Sequence, residues 1–154
     1  MKEKVKGIFR KILDMQGDPK KIAFACALGV FIAFFPILGT HTALAFALAW
    51  VFRVSPAVTL GASFVNNPWT IAPMYGGSLW FGVLITGTDI SSVNIDWHSI
   101  NWEAFVKLVK VIGVPFVVGC LVLGLVFAVI SYFAVLKAVV AYRARKESVA
   151  RAAE

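Results

Sequence analysis

The sequence predicts an all-α integral membrane protein, and three observations support that class. Apolar residues make up 60% of the 154-residue chain and charged residues only 15%, against about 45–50% and about 25% in soluble domains. The charged residues gather near the two ends of the chain. The apolar stretches are interrupted at Pro36 and Pro68, each seven residues after a Leu-Gly pair. We therefore predict a re-entrant or broken helical hairpin, a second broken span and one long C-terminal transmembrane helix.

Residues 1–17 have the pattern of a basic amphipathic helix. Apolar side chains recur at helical spacing on one face, and lysines and arginines lie mostly on the others. Such a helix suits a membrane surface, and packing against the protein's own cytoplasmic face fits the pattern equally well. Gly17 can end this helix, and Asp18-Pro19 supplies an N-cap followed by proline at the first helical position. The apolar face comprises Val5, Ile8, Phe9, Ile12 and Leu13.

The first broken unit is predicted over residues 22–52 and is cut by the turn Pro36-Ile37-Leu38-Gly39. Its arms, 22–35 and 41–52, would reach roughly 21 Å and 18 Å as helices. Neither arm comfortably crosses a hydrocarbon core of about 30 Å. The arms therefore either fold back as a re-entrant hairpin or stack as one long broken span. Arg53 favours the hairpin, because a returning arm places this cation on the cytoplasmic side.

The second broken unit is predicted over residues 54–87. Ser55 can cap its first helix, which begins at a proline. Asn67 can cap a further helix that starts at Pro68 inside the unit. At 34 residues the unit is long enough for one interrupted crossing. The polar loop 88–103 contains acidic residues and no Lys or Arg, so we expect it on the outer side.

The long C-terminal helix is predicted over residues 104–142. Its run 111–136 has 26 residues without a charge, which is enough to span a bilayer with tilt. Pro115 is expected to kink it near the outer end. Residues 143–154 then form a basic cytoplasmic tail. The membrane domain is therefore expected over 18–142, in the inner membrane, with both termini cytoplasmic.

The charge pattern and the missing motifs limit the chemistry. The net charge of +7 lies mostly at the ends that flank the apolar spans, which predicts contact with anionic lipid headgroups and argues against a nucleic-acid partner. Apart from Arg53, residues 22–88 contain no Asp, Glu, Lys or Arg, so a proton relay is not expected. Enzymatic and metal-binding motifs are absent, and we expect no catalytic residue, metal or cofactor. Cys26 and Cys120 are expected to be small buried hydrophobes.

Polar side chains gather at the two breaks, and this is the main functional signal of the sequence. In lipid, a broken helix is tolerated where protein or a water-filled cavity satisfies the freed backbone groups. His41 would act there as a neutral donor or acceptor, or would satisfy the hairpin's own carbonyls. Asn67 would offer its amide beside a helix N-terminus that attracts anions, or would only cap that helix. The candidate ligand-binding residues are Thr40, His41, Thr42, Asn66, Asn67 and Thr70, at breaks formed by Pro36, Gly39 and Pro68.

These motifs resemble a known bacterial family. They comprise Gly17-Asp18-Pro19, the run from Ala27 to Thr42, and Asn66-Asn67-Pro68-Trp69-Thr70 followed by Pro73-Met74-Tyr75. Together they resemble the membrane family designated domain of unknown function 2062 (DUF2062) over about residues 17–140. The resemblance implies an inner-membrane location and no established activity.

The sequence favours a small transporter of a polar or anionic solute, or of a lipid headgroup. The alternative is a non-catalytic membrane scaffold or assembly factor whose breaks are purely structural. An intramembrane enzyme is the weakest hypothesis, because a partner chain would have to supply its acid or base. Since one copy encloses little space, we expect a homo-oligomer surrounded by membrane lipids. We also expect His41 and Asn67 to lie within one cluster.

Overall fold

The computed structural model describes residues 17–35, 40–64, 68–89 and 109–151. These ranges contain α-helices and no β-strand, which confirms the all-α class. The predicted N-terminal helix and most of the loop 88–103 lie outside the described residues. The helices are α1 (Pro19–Ala33), α2 (His41–Val51), α3 (Pro56–Ser63), α4 (Pro68–Thr86) and α5 (Val114–Arg151), and a π-helical turn, Val109–Gly113, precedes α5.

Three of these helices begin at a proline, as the sequence predicts. The Asp18 carboxylate caps α1 by accepting a hydrogen bond from the backbone N–H of Lys20 at 2.9 Å. Ser55 holds the same position before α3, but its hydroxyl makes no capping bond. Instead its carbonyl accepts the backbone N–H and the hydroxyl of Thr59, each at 3.1 Å. Proline is favourable at these starts because the first amides of a helix have no intrahelical acceptor.

The helices α1 and α2 form a hairpin. The ring of Phe52, just after α2, packs edge-on against the ring of Phe24 in α1 with centroids 5.4 Å apart. In one stacked helix these two residues, 28 positions apart, would lie about 42 Å from each other. The second arm therefore returns alongside the first. The turn that follows contains Arg53, whose φ of 52° is in the left-handed region.

The short helix α3 runs parallel to α1. Val58 near its start belongs to the same core cluster as Ile22 and Cys26 near the start of α1. At its end, the Ser63 backbone nitrogen lies 3.0 Å from where a Cβ on Gly29 would stand. Gly29 is therefore needed for close backbone packing between α1 and α3.

The long helix α5 runs antiparallel to α1 and α4 and packs against both. Val135 and Val139 share the core cluster with the first residues of α1. Gly124 lies beside Phe34, the residue that follows the last turn of α1. Closer to its start, α5 places Pro115 against Gly82 of α4. The helices α1 and α4 therefore succeed one another along α5, and α3 lies beside α1.

Small and aliphatic side chains form the main core. The cluster lies where α1, α3 and α5 meet, and Tyr132 and Leu136 pack against it. Cys26 and Cys120 are both buried and not in a disulfide. The core comprises Ile22, Ala23, Ala25, Cys26, Val58, Val135 and Val139.

The helix α5 differs from its prediction at both ends. It runs on to Arg151 rather than ending at 142, because the residues from Ala144 to Glu147 are good helix formers. Pro115 is its second residue and follows the π-helical turn, so this proline lies at a helix start and not within it. With part of that turn, residues 111–151 form the one described helix long and apolar enough to cross a membrane by length and composition, with a mean hydropathy of 2.7 in its most apolar window.

Candidate functional site

The C-terminal end of α1 meets α5 at the middle of its apolar run. The ring of Phe34 stacks on that of Phe127, with centroids 5.3 Å apart and planes 19° apart. The Cβ of Phe34 also lies 3.0 Å from where a Cβ on Gly124 would stand. The uncharged run 111–136 has its midpoint at residues 123 and 124. The first interruption therefore begins halfway along this run.

The first half of α4 reaches the same level of α5. Pro73, Met74 and Gly77 line one side of an open cavity of about 360 Å³, and Phe34, Leu123 and Phe127 line the rest. None of these six side chains has a hydrogen-bonding group, apart from the weakly accepting sulfur of methionine. The described wall between α1, α4 and α5 is therefore apolar.

Tyr75 joins α4 to the first interruption. Its hydroxyl donates to the backbone carbonyl of Phe35 at 3.3 Å, across 40 positions of sequence. The last carbonyls of a helix have no intrahelical partner, and those of Phe31 and Ile32 accept the backbone N–H groups of Phe34 and Phe35. Tyr75 therefore satisfies a carbonyl just beyond the end of α1. The site prediction missed this residue, although it lies in the Pro73-Met74-Tyr75 motif.

The residues predicted at the first break fall at the N-terminus of α2. Thr40 is the N-cap residue, His41 is the first helical residue and is half-buried, and Thr42 is exposed. The Thr40 side chain makes no capping hydrogen bond to α2. The backbone of Thr40 has φ −89° and ψ −5°, whereas a capping side chain needs a more extended backbone to reach the second or third amide. Its carbonyl accepts the N–H of Leu44 at 2.8 Å.

The residues predicted at the second break are only partly described. Pro68 is the first residue of α4, and Thr70 is half-buried in its first turn. Asn66 and Asn67 lie outside the described residues, as do Pro36 and Gly39 of the first break. The expected proximity of His41 and Asn67 therefore stays a prediction. The helix α4 continues through Pro73.

The buried hydroxyl groups bond to their own helices. Thr59, Ser63 and Ser78 are all buried. The Ser63 hydroxyl donates to the carbonyl of Leu60, and that of Ser78 to the carbonyl of Met74, each at 2.8 Å. Each hydroxyl is satisfied by a backbone carbonyl three or four residues earlier. These bonds explain how the three polar side chains can be buried.

The second half of α4 crosses the start of α5 at a very short distance. A Cβ on Gly82 would collide with the Pro115 backbone, and a Cβ on Gly119 would collide with the Ser78 backbone. The small residues Ser78 and Gly82 on α4 and Gly119 on α5 thus allow the two backbones to approach closely. In contrast, a Cβ added at Gly76 would meet nothing within 4 Å.

Comparison with known proteins places the chain in a family. The family model for an uncharacterized protein conserved in bacteria, DUF2062, matches residues 2–148. The chain belongs to the DUF2062 family. No curated protein and no solved structure matches it. In the described part of this DUF2062 protein, no three His, Cys, Asp or Glu side chains are grouped as a metal ion would require.

Proposed function

We propose that this DUF2062 protein is a small bacterial inner-membrane protein that moves a polar or anionic solute, or a lipid headgroup, through a site at its two helix interruptions. The observation that carries the proposal is the depth of the interruptions along α5. Phe127, which stacks on Phe34, lies ten residues before Lys137, the first charge after the apolar run. Ten residues of helix span about 15 Å, half of a hydrocarbon core of about 30 Å.

The lengths of the first two helices support a re-entrant hairpin. α1 has 15 residues and α2 has 11, or roughly 22 Å and 16 Å of helix. Each is too short for a complete crossing of about 30 Å. Arg53 is exposed in the turn after α2, beside the part of α1 that holds Phe24. The hairpin would thus enter from the cytoplasm and return there.

Two helix N-termini would then lie near the bilayer midplane. Helix N-termini carry partial positive charge and unpaired N–H groups, so they attract anions. His41 begins α2 and Thr70 lies in the first turn of α4. In this arrangement the side chains near these ends, with Asn66 and Asn67, would contact the transported group. Membrane transporters use interrupted helices at this depth in the same way.

Transport would require more than one copy of the chain. The cavity beside Phe34 is open and lined by apolar side chains, so the described part of one copy does not enclose a polar path. We therefore propose a homo-oligomer, with both chain termini cytoplasmic. A molar-mass measurement in detergent tests this part, and a monomer at all detergent concentrations would contradict it.

The experiment that tests transport uses purified protein in liposomes. Fluxes of ions and small anions, and translocation of fluorescent phospholipids, are measured for the wild type and for His41→Ala, Thr70→Ala and Asn67→Ala. Thr86→Ala is the matched control, because its hydroxyl bonds to the carbonyl of Gly82 at the far end of α4. We expect the first three substitutions to reduce flux and the control to retain it. Wild-type protein that moves none of these probes would contradict the proposal.

A structural role is the second candidate, and the Tyr75 hydrogen bond favours it. That bond satisfies the Phe35 carbonyl without any ligand, as expected of breaks that only permit compact packing. In a scaffold or assembly factor, His41→Ala and Asn67→Ala would lower thermal stability and cellular phenotype together. Loss of phenotype at unchanged stability would favour transport instead.

A further inference from the structure

We propose that the chain binds one anionic phospholipid of the cytoplasmic leaflet in the groove between α1 and α5. This inference goes beyond the proposed function. It uses the same membrane placement, but it requires no transport and involves a surface other than the helix interruptions. Three independent observations support it: the shape of the groove, the length of the groove, and the charges around one of its ends.

The groove is open and apolar for most of its length. It has a volume of about 410 Å³, and its floor contains Ala27 and Ala128, whose small side chains leave room between the helices. Because lipid tails are as apolar as these walls, burial alone would not hold one lipid in place. The groove supplies a fixed shape for an acyl chain, and the headgroup contacts must supply the selectivity. The walls are Phe24, Leu28 and Phe31 on α1 and Leu125, Val129, Tyr132 and Phe133 on α5.

The length of the groove matches one leaflet. Its inner end is at Phe31, whose ring lies 3.4 Å from where a Cβ on Gly124 would stand, at the middle of the apolar run. Lys20 lies eleven residues before Phe31 on α1, which corresponds to about 16 Å of helix. One leaflet of hydrocarbon is about 15 Å thick, half of a core of about 30 Å. An acyl chain whose glycerol lies near Lys20 would therefore end at the groove's inner end.

Cationic side chains surround the end of the groove that lies farthest from Phe31, which we call the groove mouth. Lys20 and Lys21 lie one helical turn before Phe24 on α1, and Lys137 lies one turn after Phe133 on α5. All three lysines are exposed. Long cationic side chains near the end of a membrane helix extend toward the headgroups.

Two further cations lie at this end. Arg53 is exposed and directly follows Phe52, whose ring contacts Phe24. Arg143 of α5 donates a hydrogen bond to the carbonyl of Gly17 at 2.7 Å.

One acidic group lies beside them. The Asp18 carboxylate caps α1 through the Lys20 backbone N–H. Among the described residues, five cations against one carboxylate leave a net positive charge around the groove mouth.

That charge selects the occupant. A second copy of the chain would bring the same five cations to the same place, so like charges would oppose pairing of two grooves. The phosphodiester of phosphatidylglycerol carries one uncompensated negative charge. Phosphatidylcholine has the same phosphate but carries its own ammonium group. The groove should therefore retain phosphatidylglycerol in preference to phosphatidylcholine.

Native mass spectrometry of the full-length protein in detergent, with equal amounts of these two lipids, tests the proposal. We expect one phosphatidylglycerol per chain in the wild type and, in the triple variant Lys20→Gln, Lys21→Gln and Lys137→Gln, a loss of affinity of roughly tenfold or more. The matched control removes three charges from the exposed end of α5: Arg145→Gln, Lys146→Gln and Arg151→Gln. Equal losses in both variants, or equal retention of the two lipids by the wild type, would overturn the proposal.

A second pair of variants tests the groove without changing charge. Val129→Trp fills the groove, whereas Val126→Trp adds the same side chain to a position that does not line it. Their parent residues are similarly exposed, at 48% and 46%. We expect Val129→Trp alone to lose bound phosphatidylglycerol. Retention at the wild-type level by a folded Val129→Trp protein would contradict acyl-chain binding here, whatever the outcome of the transport assay.

Discussion

The hydroxyl of Tyr75 donates to the carbonyl of Phe35 at 3.3 Å and so ties α4 to the end of α1. The ring of Tyr75 also packs edge-on against Phe116 of α5, with centroids 5.3 Å apart. One side chain thus joins three helices at the level of the first interruption.

The Tyr75→Phe substitution is expected to lower the free energy of unfolding by about 0.5–1.5 kcal/mol, the usual net value of one hydrogen bond. The ring contact with Phe116 would remain, so the change isolates the hydroxyl. Thermal unfolding in a single detergent measures the effect. Tyr132→Phe is the control, because Tyr132 contacts Phe133 through its ring. Equal stability of the two variants would show that the Phe35 carbonyl needs no such donor.

The Gly119→Ala substitution is expected to destabilise the fold by about 1–3 kcal/mol, the usual range for overpacking. The new methyl group would collide with the Ser78 backbone, which cannot move without shifting α4. Unfolding in a denaturant series measures the change. Gly76→Ala is the matched control, since its methyl group would enter open space and alanine is the better helix former. A smaller loss at Gly119 than at Gly76 would contradict the close crossing of α4 and α5.

An Arg53→Cys variant, in a background with Cys26→Ala and Cys120→Ala, tests the hairpin's direction. A thiol reagent that cannot cross membranes is expected to label position 53 from the same side as a Lys21→Cys variant. His98→Cys, in the polar loop, is the control for the opposite side. Labelling of position 53 together with position 98 would contradict a hairpin that returns to its side of origin.

The Arg53→Gly substitution separates backbone strain from charge. Arg53 has φ 52°, a conformation that glycine adopts with little strain. We therefore expect the free energy of unfolding of Arg53→Gly to equal that of the wild type or to be higher by up to about 1 kcal/mol. If arginine is kept there for its charge, binding to vesicles of phosphatidylglycerol should weaken at the same time. A large loss of stability would instead show that the Arg53 side chain packs.

Local sequence signals predicted the helix starts and both interruptions. Proline fixes its own φ angle and lacks an N–H group, so its preference for the first helical turn needs no knowledge of the rest of the chain. Ser55 was correctly placed at an N-cap position. The prediction that its side chain caps the helix was wrong, because such hydrogen bonds depend on backbone angles and competing acceptors that the sequence does not display.

Contacts between distant segments could not be predicted from the sequence. Gly76 and Gly82 look alike as helical glycines, yet only Gly82 meets the Pro115 backbone. The residues around Tyr75 do not indicate that its hydroxyl bonds to Phe35, 40 positions earlier. Both facts depend on how α4 lies against α1 and α5, and apolar helices without a clear polar face leave that orientation open.

The most direct test of the central claim is the depth and hydration of a spin label at position 42 in lipid bilayers. The variant is Thr42→Cys, with Cys26→Ala and Cys120→Ala. Ile130→Cys is the reference, since Ile130 is exposed on α5, three residues from Phe127. We predict that both labels lie within the hydrocarbon core, with the label at position 42 at least as deep as the one at position 130, and with water contact at position 42 alone. A label at position 42 that lies among the headgroups, or that is as dry as the one at position 130, would contradict a polar site at the interruptions.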